Sequence, residues 1–148
     1  MTRVAYIKDV QPSGTEGQTA TTGSFAQMRL NTLEGDTSFV SLSSNRFTLQ
    51  PGSYTIDATA EAYGTGVAKI ALIKDPGGSP STEIIGSSSY TDNSTVAVTV
   101  KLNGKIEIDS ATTFELRARA ANATRFGVAS SFGVDEVYTQ VKITRLMD

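Results

Sequence analysis

The side chains best suited to chemistry are three acidic pairs, Glu34/Asp36, Glu107/Asp109 and Asp135/Glu136. Two carboxylates facing each other across a sugar hydrolyse glycosidic bonds, one as acid and the other as base or nucleophile. Residues two apart on a strand share a face, so Glu107 and Asp109 can stand side by side. The ordinary preference of Asp and Glu for water instead reads all three pairs as solvated strand faces or turns. Asp92-Asn93 offers oxygen ligands of the kind calcium takes, but no acidic loop of recognised spacing surrounds it, and it reads as a turn. Ser87-Ser88-Ser89 and Ser130-Ser131 supply hydroxyls, which need a base before they attack anything. The chain has no histidine, so a Ser-His-Asp arrangement cannot be built from it. It has no cysteine, which removes thiol nucleophiles, zinc-thiolate sites and disulfides. No Ser-x-x-Lys motif stands in, and Gly77-Gly78 lacks the Gly-Lys-Ser/Thr of a phosphate loop. Arg117, Arg119 and Arg125 form the basic cluster, with no aromatic residue interleaved on that strand face. Pairing with Asp57, Glu61 or a neighbouring subunit suits them better than nucleic acid. These residues argue against an enzyme, and no catalytic, metal-ligating or cofactor-binding residue is assigned.

The elements that must position these groups are strands. Thirty-six of the 148 residues are Ser or Thr and thirteen are Gly, a composition suited to strands and tight turns rather than helix interiors. Alternation of period two recurs. Tyr54, Ile56, Ala58 and Ala60 alternate with Thr55, Asp57, Thr59 and Glu61; Val96, Val98, Val100 and Leu102 with Ala97, Thr99 and Lys101. Phe114, Leu116, Ala118 and Ala120 alternate with Glu115, Arg117 and Arg119, and Val137, Val141 and Ile143 share a face opposite Tyr138, Gln140 and Lys142. Each run predicts a half-buried strand. Pro51-Gly52, Gly64-Thr65-Gly66 and Asp75-Pro76-Gly77-Gly78 punctuate them, and Asn103-Gly104 predicts a two-residue hairpin. Many short strands with no helical segment define an all-β sandwich or barrel. Expected core residues are Phe25, Phe47, Tyr54, Ile56, Ile70, Leu72, Val98, Val100, Phe114, Leu116, Val141 and Ile143.

The formal net charge of -2 gives no long-range attraction to nucleic acid or anionic lipid. The absence of tryptophan excludes a Trp-lined sugar platform. The first residues lack the apolar run of a signal peptide, and no stretch approaches the roughly 20 apolar residues of a membrane span. A soluble protein without an export signal or membrane insertion is expected.

Arg29-Leu30-Asn31-Thr32, Asn45-Arg46-Phe47-Thr48-Leu49-Gln50-Pro51-Gly52-Ser53-Tyr54 and the closing Phe126-Gly127-Val128-Ala129-Ser130-Ser131-Phe132-Gly133-Val134-Asp135-Glu136-Val137-Tyr138 carry a resemblance. The chain resembles the jelly-roll domain of bacteriophage virions, found at tail-fibre ends and as small stand-alone proteins. Its Phe-Thr-Leu-x-Pro-Gly-x-Tyr order is similar to that of C1q and tumour-necrosis-factor-like domains. The resemblance implies a single jelly-roll sandwich of eight to ten strands that assembles as a homotrimer in the virion, built in the host cytoplasm. Because the domain begins so near Met1, a capsid decoration (cement) protein bound to the major capsid protein or another virion protein is expected. A tail-fibre or receptor-binding head is the alternative.

Two sets of contact residues follow. Tyr63, Phe126, Phe132 and Tyr138 sit in or beside Gly-containing segments, and either face a neighbouring subunit or complete the monomer core. Residues 1–23 are expected as an N-terminal strand and polar arm, with the jelly roll at 24–148. The strand residues Val4, Tyr6, Ile7 and Val10 either pair with a sheet edge on the virion or form the first strand of their own sheet. The stretch from Pro12 to Gly23 is expected as an extended loop or mobile arm.

Overall fold

The computed structural model describes residues 3–92 and 95–147. Two antiparallel sheets face each other across one core. The first contains β1 (Arg3–Gln11), β2 (Gln18–Thr19), β4 (Thr32–Gly35), β7 (Gly52–Tyr63), β11 (Ala97–Ile108), β13 (Arg125–Phe126) and β14 (Glu136–Leu146). Its order is β4-β1-β14-β7-β11, with β13 and β2 continuing the β14 side of β7 at Tyr63. The second contains β3 (Ala26–Gln27), β5 (Val40–Ser43), β6 (Arg46–Leu49), β8 (Val67–Lys74), β9 (Ser81–Ile85), β10 (Ser89–Tyr90) and β12 (Thr112–Ala120). Its centre is β6-β12-β8: β5 flanks β6, β3 extends the β6 side of β12, and β9 and β10 share the outer edge of β8. Among the described residues the one helical element is a 3-10 turn, Thr37–Phe39, capped by the Asp36 carboxylate, which accepts from the Ser38 N–H.

The alternation places one face of each strand in the core. Tyr54, Ile56, Ala58, Ala60 and Ala62 turn inward from β7, and Phe114, Leu116, Ala118 and Ala120 from β12. Phe47 stacks on Phe114 at 5.7 Å between ring centroids, and Phe39 packs tilted against Tyr54 at 5.6 Å. Of the expected core residues, Phe47, Tyr54, Ile56, Ile70, Leu72, Val100, Phe114, Leu116, Val141 and Ile143 are buried. Val98 is half-buried against the core, and Phe25 is half-exposed on the outside of the second sheet.

One local expectation is overturned, and at two other places the structure takes one of the alternatives left open. Asn103-Gly104 makes no hairpin: β11 runs straight through it, paired with β7 from Ala97 to Ile108. The glycine serves packing instead, since a Cβ there would sit 2.9 Å from Ile84 Cδ1. Residues 3–11 are not a free arm. β1 lies between β14 and β4, with Val4 opposite Thr144, Tyr6 opposite Lys142 and Glu34, and Ile7 opposite Val141 and Leu33. Its backbone groups are therefore committed on both sides, and Ala5 and Ile7 sit in the core. The stretch from Pro12 to Gly23 is likewise tied down, by β2 and by the Gly17 and Ala20 N–H groups on the carbonyls of Gly127 and Thr124.

Two stability measurements check this placement. Phe114→Ala should cost about 3–5 kcal/mol and lower the melting temperature sharply, because the ring it removes is fully enclosed. Deleting residues 1–11 should abolish cooperative thermal melting followed by circular dichroism, since an inner strand is lost.

Candidate functional site

A heavily hydrogen-bonded polar site grows from one irregularity in β14. Between Lys8 and Val10 β1 advances two residues, while its partner goes from Gln140 to Val137, three residues. An extra residue in one strand reverses which face the following side chains take. Val141 and Ile143 face the core, but beyond the bulge Tyr138 and Glu136 turn in and Val137 turns out to solvent. The shared face expected for Val137, Val141 and Ile143 is broken for this reason.

The Glu136 carboxylate is thereby aimed at two loops. Its Oε2 accepts from the backbone N–H of Gly14 at 2.9 Å and of Ser131 at 3.0 Å, and its Oε1 from the N–H and hydroxyl of Ser130, both at 3.0 Å. The Gly14 N–H, followed by those of Ser130 and Ser131, holds its pKa down at about 2. Next to it the Tyr138 hydroxyl donates to the Thr15 carbonyl, and burial pushes its pKa up. Gly127 has φ +122°, and a Cβ there would overlap the Tyr138 ring, so the chain needs glycine at this step. Further bonds join the same segments: Gly133 N–H to Ser13 Oγ, Ala129 N–H to Glu16 Oε2, and an Arg125–Glu16 ion pair at 3.3 Å.

The expected contact residues divide accordingly. Phe126 is 1% exposed and Tyr138 4%, so both complete the monomer core and offer a second subunit nothing. Tyr63 is half-buried, with the Arg125 guanidinium 5.0 Å from its ring centre. Phe132 is 83% exposed, on the loop that Glu136 fastens, with Val128, Val134 and Val137 also exposed. In β1, Ile7 is buried, Val4 and Val10 are half-buried, and Tyr6 is exposed on the outer face of the first sheet.

At least one member of each acidic pair is engaged in structure. Lys8 meets Glu34 at 3.2 Å, Lys105 meets Glu107 at 3.0 Å, and Asp36 caps the 3-10 turn, its pKa lowered by the Ser38 hydrogen bonds. Asp92 is described, but its neighbour Asn93 lies outside the described residues. Among the described residues none of the three arginines pairs with Asp57 or Glu61: Arg117 and Arg119 lie on the other sheet, and Arg125, on the same sheet, pairs with Glu16. Arg117 and Arg46 both bind Glu115, at 2.6 and 3.0 Å, and Gln27 donates to the same carboxylate. Sequence reading missed two buried carboxylates, Glu115 and Asp9. Asp9 is 1% exposed and accepts from Arg29 at 3.1 Å and Gln11 at 2.6 Å. Each has one partner two residues away, but the others, Arg29 for Asp9 and Arg46 and Gln27 for Glu115, are distant in sequence, so no local motif marks them.

A hollow of about 470 Å³ opens on the outer face of the second sheet. Thr22, Gly23 and Phe25 wall it on one side and Ser88 on the other, and Lys69 and Arg119 rise from the β8–β12 floor.

No protein-family model matches the chain, and a search of curated proteins finds no match. Solved structures do match in fold. Murine APRIL at pH 5.0 superposes with a TM-score of 0.65 at 9% identity, covering 99% of this chain and 100% of that one. The globular domain of zebrafish complement 1qA gives 0.62 at 12% identity, covering 99% and 98%. Eiger TNF from S. frugiperda gives 0.65 at 9% identity, covering 99% and 94%. The chain is an all-β jelly roll of the TNF/C1q-like type.

The loop clamp has a pH signature. A carboxylate depressed from 4.5 to about 2 on folding contributes stability in full above about pH 4.5, and loses it as pH falls towards 2. Urea midpoints between pH 7 and 2 should fall more steeply below pH 4.5 for the native chain than for Glu136→Gln, whose side chain does not titrate.

Proposed function

We propose that this chain is a non-catalytic adhesion module that self-associates as a homotrimer. The observation that carries this is Phe132, 83% exposed on a loop fixed by the Glu136 carboxylate. An aromatic held out in water on a rigid loop loses little conformational entropy on being covered, which suits an interface anchor. The engagement of Glu34, Asp36, Glu107 and Glu136 in ion pairs and caps supports a role without catalysis. Following the sequence resemblance, we place the trimer on a bacteriophage virion as a capsid decoration protein, its partner the major capsid protein. Attachment then runs through loops and outer faces, because both edges of β1 are occupied within the chain. A tail-fibre or receptor-binding head is the second reading, and the hollow on the second sheet favours it.

Light scattering at micromolar concentration should return about three times the 15.6 kDa chain mass. Phe132→Ser should leave the circular dichroism unchanged and weaken association by about 2 kcal/mol or more per contact, roughly 30-fold. A native chain of single-chain mass would reject the trimer. A native trimer that does not bind purified capsids lacking it would reject the decoration role.

A further inference from the structure

We propose that the hollow on the second sheet binds an acidic sugar, a ring carrying a carboxylate of the uronic or sialic acid kind. The first ground is charge. Arg119 and Lys69 are direct cross-strand partners in the β12–β8 ladder, pointing to the same face. Like charges in that relation destabilise an empty sheet. Two residues along β12, Arg117 is neutralised by Glu115, which also takes Arg46. No carboxylate lines the hollow among the described residues, and neither Lys69 nor Arg119 has an ion pair there. The sheet thus supplies a counter-charge beside the hollow and omits one within it, leaving two cations for an anion from outside.

The second ground is what surrounds the cations. A bare phosphate or sulfate needs no apolar wall, yet Phe25 and Val67 supply one. Thr22 and Ser88 add hydroxyls on opposite sides, able to donate to or accept from ring hydroxyls. The wall is held in place: the Ala120 N–H bonds to the Thr21 carbonyl at 2.9 Å, the Met28 N–H to that of Leu116 at 2.8 Å, and β3 pairs with β12 between them. An apolar surface, a few convergent polar groups and about 470 Å³ fit a single sugar ring with its substituents. The carboxylate would lie between Arg119 and Lys69, the less polar ring face against Phe25, and the hydroxyls towards Thr22 and Ser88. The proposal does not rest on self-association, since none of the lining residues belongs to the Phe132 loop.

Isothermal titration of the full chain with sialyllactose and with digalacturonic acid tests it, with lactose and inorganic sulfate as controls. At least one acidic sugar should bind saturably, about tenfold or more tighter than lactose or sulfate, and more weakly as salt rises. Arg119→Gln and Lys69→Gln should each weaken that binding roughly tenfold, while their melting temperatures stay level or rise as the like-charge pair is removed. The proposal is overturned if neither acidic sugar binds at millimolar concentration, or if lactose binds equally well. It is also overturned if sulfate matches the sugars, which would indicate a bare anion site, or if the double variant binds as the native chain does. Each of these failures leaves the light-scattering mass, and so the trimer, unaffected.

Discussion

One extra residue in the last strand governs the end of the sandwich where the loops at 12–17 and 127–135 meet. Had β14 kept strict alternation past Gln140, Val137 would face inward and Glu136 would point to solvent. The bulge opposite Lys8–Val10 inverts this and places a carboxylate where loop N–H groups need an acceptor. Backbone donors buried without a partner are costly, so the loops at 12–16 and 128–133 gain their fixed course from this acceptor. The consequence reaches Phe132. The chain passes from a ring in the core, through a glycine that clears Tyr138, to a ring in water within six residues. The second placement depends on that carboxylate, through the Ser130 and Ser131 N–H groups, and the first on the pairing of β13 with β2.

A comparable economy holds the sheets to their edge segments. Asp9 in the first sheet and Glu115 in the second are each almost wholly buried, and each is answered from the short run 27–29, by Arg29 and Gln27 respectively. Gln18 closes the arrangement, donating to the Gln27 carbonyl at 2.7 Å and accepting from the Arg29 N–H at 2.8 Å. Removing one member of such a pair leaves a buried charge alone, which costs about 3–5 kcal/mol. With no disulfide available, these charged bonds take over the fastening of loops to the sandwich.

The strands were legible because their side chains obey a local rule. Tyr54 to Ala60 and Phe114 to Ala120 alternate without interruption, and a period of two needs no knowledge of the partner strand. What failed to show depended on distant residues. Asn103-Gly104 carries the residues of a tight turn, yet pairing with β7 along twelve positions outweighs that preference, and the glycine answers to Ile84 across the chain. Val4 to Val10 reads as a strand from its own residues, but whether it pairs at home or abroad is decided by β14, whose Thr144 lies opposite Val4 and Val137 opposite Val10, at the other end of the chain. Glu136 was visible as half of an acidic pair. Its role was not, because one of its donors, Gly14, lies 122 positions away.

The two candidate surfaces differ in kind, and the difference bears on the proposed adhesion. Phe132, Val128 and Val134 expose large apolar side chains, so covering them gains from water release and is little affected by salt. Over Lys69 and Arg119 the free energy is electrostatic and directional, weakened by salt and sensitive to which anion arrives. A chain of net charge -2 has no general attraction for anions, so any selectivity must come from this local pair and its walls rather than from long-range steering. Repetition of the module would multiply weak single-site binding, since linked copies raise the effective concentration of each further site. In the proposed trimer, the rigid apolar contact would set the copies side by side and each copy would repeat the cationic hollow, so that the first would supply the geometry that the second requires.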